Sequence, residues 1–137
     1  RLGFALGSAG LIADLERIKY STNPYNINRL TLVAAEAAID SNDYYVNNCR
    51  TIQETRAYTV AQLDKLGFFT LPSLANFIFT RCPRMEGGAL YRALKARGVL
   101  VRHWDAPEIS DYLRITIGSR RQMDVLLEQI RNILQEV

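Results

Sequence analysis

Arginine is the residue in this chain best suited to chemistry: 14 Arg stand against 3 Lys. A guanidinium offers a planar fork of donors that matches a carboxylate or a phosphate, whereas a lysine ammonium is a flexible point charge. Arg114 lies in the alternating run Tyr112–Ile117. Leu113, Ile115 and Ile117 take one side of an extended chain there, and Tyr112, Arg114 and Thr116 take the other. The aliphatic side should face a core, so the Arg114 side chain should project from the opposite, uncovered face. A guanidinium fixed on a rigid strand is a pre-organised bidentate donor for an anion. From the residues alone, an isolated surface arginine is the alternative. Arg102, at the end of the apolar run Val99–Arg102, either adds to the same field or marks a solvated strand end.

Other chemistry is thin. His103 is the single histidine, and with no CxxC beside it no metal site is expected. Ser110, His103 and Asp105 crowd one loop without the strand-to-helix elbow of a nucleophilic serine, so no triad is expected. Gly3, Gly7 and Gly10 do not match a dinucleotide fingerprint, and no phosphate-binding loop is present. Asn76, inside an apolar run, reads as a strand-start residue capping a backbone group. Tyr44, Tyr45 and Tyr58 read as packing aromatics. Cys49 and Cys82 lie far apart, which supports neither a disulfide framework nor a zinc cluster.

These residues need elements to position them. Ser8 can cap a helix carrying Leu11, Ile12, Leu15 and Ile18 on one face. Pro24 stops it, and an Ala-rich helix follows over about 27–39. A long helix runs from Asp43 to Leu66, with Gly67 as its left-handed stop. Phe68–Leu71 and Ala75–Arg81 read as strands; Gly87 or Gly88 opens a helix that ends at Arg97-Gly98. Val99–Arg102 reads as a short strand, Asp105-Ala-Pro107 as a loop, and Tyr112–Ile117 as a strand. Ser119 with Gln122 forms a capping box for the last helix, which repeats Met123, Leu126, Leu127, Ile130 and Leu134 at helical spacing. The expected class is therefore α+β: a small antiparallel sheet with helices on one face, in the order α-β-β-α-β-β-α. The opening RLGFALG reads as a buried strand in mid-course, as if the chain continued something upstream. Its three glycines in ten residues, with Asp14 just beyond, argue against a signal peptide. A composition shift near residues 40–42 divides a first part, 1–41, from a second, 42–137.

At 137 residues the chain is one domain's worth, with a net charge of +3 and 48% hydrophobic residues. Such a composition excludes disorder. No apolar run reaches the roughly 18 residues a membrane-spanning helix needs. The basic residues are interspersed with acidic ones, so the charge alone does not point to nucleic acid.

Taken in order, the segments RLGFALG, NPYNIN, LPSLANFIF, ARGVLVRHW and DYLRITIG resemble the histidinol-phosphate aminotransferases, a branch of the fold-type I enzymes that use pyridoxal phosphate. The resemblance covers essentially the whole chain and implies the C-terminal portion of such an enzyme. Residues 1–41 would then be a strand and two helices of the large, cofactor-binding domain, and 42–137 the small domain. It implies that Arg1 binds the cofactor phosphate, that Arg114 binds the anionic end of the substrate, and that Arg102 lies near the same pocket. The Schiff-base lysine of that family would fall upstream of Arg1, so no catalytic residue is expected within the chain. Some members carry a further phosphate-binding arginine in the last helix; Val125 stands at that place here. The activity implied is amino transfer between glutamate and imidazole-acetol phosphate in histidine biosynthesis, with pyridoxal 5'-phosphate in the parent but not held by this chain alone. A cytoplasmic enzyme with a small-molecule substrate is implied, forming homodimers or higher species, with no nucleic-acid or membrane partner.

Two other readings make different demands. A related fold-type I enzyme, an aromatic aminotransferase or a threonine-phosphate decarboxylase, would share the elements and differ in substrate. A stand-alone binding module presenting its open sheet face to RNA would need aromatics on that face. The alternation of Tyr112–Ile117 shows only Tyr112 there.

Overall fold

A computed structural model describes residues 2–136, so the Arg1 expectation lies outside the described residues. The local signals set most of the elements. Helix α1 (Ala9–Thr22) begins where the Ser8 hydroxyl accepts from the Leu11 N–H at 3.5 Å. Helix α2 (Arg29–Asp40) is capped by Asn28, whose side-chain oxygen accepts from the Thr31 N–H at 2.8 Å. Helix α3 (Asn42–Lys65) stops at Gly67, whose φ of 81° places it in the left-handed region that suits glycine. Strand β1 (Phe69–Thr70), strand β2 (Phe77–Arg81), helix α4 (Gly87–Ala96), strand β3 (Tyr112–Thr116) and helix α5 (Arg120–Gln135) follow. The Ser119–Gln122 capping box at the head of α5 is formed in both directions.

The chain divides into two units, Arg1–Val46 and Asn47–Val137. In the second, the three strands form an antiparallel sheet in the order β1-β2-β3. Ile78 pairs with Ile115 and Thr80 with Leu113, and these four are buried. They join Leu63 of α3, Leu90 and Leu94 of α4, and Leu126, Leu127 and Ile130 of α5 in one core. Each such leucine or isoleucine contributes about 1.5–3 kcal/mol by leaving water, and this core fixes the sheet's phase. The helices therefore lie on the aliphatic face, as the alternation of Tyr112–Ile117 predicts. Thr80 is 0% exposed in that core, with its hydroxyl on the Phe69 carbonyl at 3.1 Å and on the Thr70 hydroxyl at 2.8 Å.

In the first unit no residue of α1 or α2 is buried. Phe4 is 82% exposed and Leu6 91%. The expected strand RLGFALG is corrected here: residues 2–7 have no regular structure. A strand needs a partner for its N–H and C=O groups, and the described residues of this unit offer no second extended segment.

Two further expectations change. Val99–Arg102 is not a strand but a single bridge, in which the Arg102 N–H donates to the Arg114 carbonyl at 3.0 Å and the Arg114 N–H to the Arg102 carbonyl at 2.9 Å. The Val99 N–H is engaged elsewhere, donating to the Leu94 carbonyl to close α4 beyond Gly98. Tyr44 and Tyr45 do not pack in a core; both are exposed and meet each other edge to face, 5.2 Å between centroids.

Candidate functional site: an arginine pair on an aromatic face

The register that buries Ile78 and Ile115 sends their neighbours the other way. Phe79 stands directly across from Arg114, Arg81 from Tyr112, and Phe77 from Thr116. The Arg102–Arg114 bridge extends the same row, since residues directly opposite in an antiparallel pair share a face. Trp104, two residues past Arg102, lies on that face too, against Phe79 and within reach of both arginines. The uncovered face thus holds Phe69, Phe77, Phe79, Trp104 and Tyr112 together with Arg81, Arg102 and Arg114. This corrects the expectation that Tyr112 is its only aromatic, because the uniformly apolar run Phe77–Phe79 conceals which of its residues point outward.

Both predicted arginines meet one indole. The Arg114 guanidinium carbon lies 5.5 Å from the Trp104 ring centroid and 5.3 Å from that of Phe77. The Arg102 guanidinium carbon lies 5.2 Å from Trp104. Ring faces attract cations at such distances, and the two arginines that share this ring are also direct backbone partners across the bridge. Neither takes part in an ion pair among the described residues. The Arg114 Nε–H is buried and has no hydrogen-bond partner. An unmet buried donor on a charged group is costly, at least about 1–3 kcal/mol, and an anion accepting from it would remove that cost.

The loop between Arg102 and β3 is pinned by His103. Its side chain is 8% exposed, and Nε2 lies 2.7 Å from the Ser110 carbonyl. A carbonyl only accepts, so Nε2 carries a proton. Nδ1 lies 3.5 Å from the Asp105 carboxylate, and the ring stacks on Tyr91 of α4 at 5.8 Å. Ser110, His103 and Asp105 do meet, but through the serine carbonyl. The Ser110 hydroxyl donates to Pro107 at 3.4 Å, which is not the geometry of a nucleophile. Gly87 closes the other side of the loop. A Cβ there would stand 2.5 Å from the Ser110 oxygen and 2.7 Å from the Asp111 carbonyl carbon, so any side chain must displace backbone.

The remaining candidates fall elsewhere. Asn76 is exposed, and its carbonyl accepts from the Ile117 N–H at 2.9 Å just before β2. Val125 is 44% exposed on α5 and lines a shallow apolar groove with Leu100 and Val101. Tyr58 donates to the Asp124 carboxylate at 2.8 Å beneath the Arg120 guanidinium. That hydrogen bond, with the Arg120 charge, holds the Asp124 carboxyl below the usual carboxylate range. No group of three or more metal-ligating side chains occurs among the described residues. No described helix is long and apolar enough to cross a membrane.

The model of one protein family, described as aminotransferase class I and II, matches residues 1–130. The chain is 44% identical over 133 residues to histidinol-phosphate aminotransferase 2 of Dechloromonas aromatica, covering 97% of this chain and 37% of that protein. It therefore spans little more than a third of the length of this relative. The crystal structure of the histidinol-phosphate aminotransferase from Clostridium acetobutylicum superposes with a TM-score of 0.79 at 22% identity, covering 89% of this chain and 38% of that one. The Sinorhizobium meliloti histidinol-phosphate aminotransferase, solved in complex with pyridoxal-5'-phosphate, gives 0.70 at 23% identity over 93% of this chain and 36% of that one.

Proposed function

The chain belongs to the aminotransferase class I and II family, and from that premise we propose that it is the C-terminal part of a histidinol-phosphate aminotransferase. In this reading residues 1–41 come from the large domain, and residues 42–137 are the small domain. The parent moves an amino group between glutamate and imidazole-acetol phosphate, as a cytoplasmic, homodimeric enzyme using pyridoxal 5'-phosphate. One observation carries the substrate side of this reading. Two unpaired guanidiniums lie on one aromatic wall, and Arg114 keeps a buried N–H with nothing to donate to. Arg114 is the anchor for the substrate's anionic end, where carboxylate or phosphate oxygens accept from its fork. Arg102 adds a second positive charge, which favours a phosphate dianion over a singly charged carboxylate.

The cofactor does not fit the described residues alone. Lys19, Lys65 and Lys95, the chain's three lysines, all stand at exposed helix positions. Bound in the parent, pyridoxal phosphate would supply the electron sink for amino transfer. Arg1 is assigned to its phosphate by the family resemblance.

Related enzymes of the same fold are separated by assay. The full-length parent is given histidinol phosphate, phenylalanine and threonine phosphate in parallel. Amino transfer from histidinol phosphate should exceed that from phenylalanine, with no carbon dioxide released from threonine phosphate. Preference for phenylalanine, or decarboxylation of threonine phosphate, would reassign the chain to the corresponding relative.

A further inference from the structure

Among the described residues, Trp104 presents the one ring that lies within cation–π reach of both arginines of the pair. We propose that Trp104 is the positioning residue of this anion site: a shelf that holds the Arg102 and Arg114 guanidiniums together and so sets affinity for a phosphate monoester. The inference rests on the proposed reading of Arg114 and Arg102 as substrate anchors.

Two like charges borne on the two sides of a bridge would swing apart in water, since each arginine side chain has several rotatable bonds and a large rotamer entropy to regain. Stacking both on one ring removes that freedom before the ligand arrives, and a site prepared in this way binds more tightly. The shelf is itself held. Trp104 meets Phe79 edge to face, with centroids 6.2 Å apart. Phe79 in turn stacks on Tyr112 at 4.7 Å. Behind it, the His103 Nε2–H donates to the Ser110 carbonyl and ties both ends of the loop together. Trp104 therefore acts through the arginines, with no need to touch the ligand's reacting atoms.

Trp104 is also the chain's single tryptophan, so its emission reports on its own site. Inorganic phosphate is titrated into the chain while Trp104 fluorescence is followed, and binding by Trp104→Phe and Trp104→Leu is measured by calorimetry. Far-UV circular dichroism confirms that each variant is folded. The wild type should show a saturable emission change that Arg114→Gln abolishes. Trp104→Phe, which keeps a ring face, should bind within about twofold of the wild type. Trp104→Leu should bind about tenfold more weakly, the loss expected for two cation–ring contacts. In the full-length parent the same tenfold should appear in KM for histidinol phosphate, with kcat little changed. If Trp104→Leu binds phosphate as well as Trp104→Phe does, or if kcat falls while KM stays, the shelf is refuted and the arginine site stands. If the wild type shows no phosphate binding, the anion-site reading itself fails.

Discussion

Replacing Gly87 by alanine tests the packing that holds the Trp104 loop against α4. The added methyl would lie 2.5 Å from the Ser110 oxygen, 2.7 Å from the Asp111 carbonyl carbon and 2.8 Å from its oxygen. Relief requires a movement of roughly 0.5–1 Å, and the obstacle is backbone. That backbone leads straight into β3, and the Tyr112 N–H donates to the Ile109 carbonyl at 2.9 Å within the same turn. Overpacking of this kind costs about 1–3 kcal/mol, offset by roughly 0.4–1 kcal/mol because alanine has less freedom to lose on folding. Gly87→Ala should therefore destabilise the second unit by about 1–2 kcal/mol, or about 5–15 °C in Tm for a domain this size. The next residue is the control. The atoms nearest a Cβ on Gly88 are all side-chain atoms, the Arg92 and Glu86 tips at 3.3 Å and the His103 ring at 3.4 Å. Gly88→Ala should be neutral, or stabilising by up to about 1 kcal/mol. Urea unfolding followed by Trp104 emission and by far-UV circular dichroism reads both variants. If Gly87→Ala matches Gly88→Ala within about 0.5 kcal/mol, the close approach of α4 to residues 110–111 is wrong.

Asp124 gives a pH signature. Its carboxyl is held low by the Tyr58 hydrogen bond and the Arg120 charge, so its contribution is present above about pH 4 and lost as pH falls through the lowered value. The stability gap between wild type and Tyr58→Phe should be full at neutral pH and shrink in acid; a gap that widens below pH 4 contradicts this. On the aromatic face, Phe79 stacks on Tyr112, and Arg81, Arg102 and Arg114 lie over the rings of Phe69, Tyr112, Trp104 and Phe77, where bases would have to displace them. No salt-dependent retention of single-stranded RNA is expected in a filter assay, and such retention would revive the binding-module reading. The exposed Phe4, Leu6, Leu30 and Ile39 should drive association; a clean monomer by light scattering, without binding of an apolar dye, would count against it. Finally, the chain alone should not transaminate with added pyridoxal phosphate. Borohydride reduction and mass analysis should find no stoichiometric lysine adduct, and finding one together with amino transfer from glutamate would overturn the assignment.

What could be read from the sequence follows the range of the interactions involved. Caps and stops act over a few residues, so Ser8, Gly67 and the Ser119–Gln122 box appear where their patterns place them. Arg114 was legible for a similar reason: Leu113, Ile115 and Ile117 alternate with polar residues and declare the strand's phase. The phase of β2 was not. Phe77, Ile78 and Phe79 are all apolar, and the decisive buried residue is Thr80, whose polarity argues for the surface until Thr70 and the Phe69 carbonyl satisfy its hydroxyl. That partnership belongs to the β1–β2 pairing, which no local pattern records. The same limit hid Trp104. Its neighbours are fixed by the Arg102–Arg114 bridge and by His103 reaching the Ser110 carbonyl, each joining residues separated by a loop. The arginines thus announce an anion through their own chemistry, whereas the wall that orders them arises from register. Substitutions in that wall should change affinity while leaving every local signal of the chain intact.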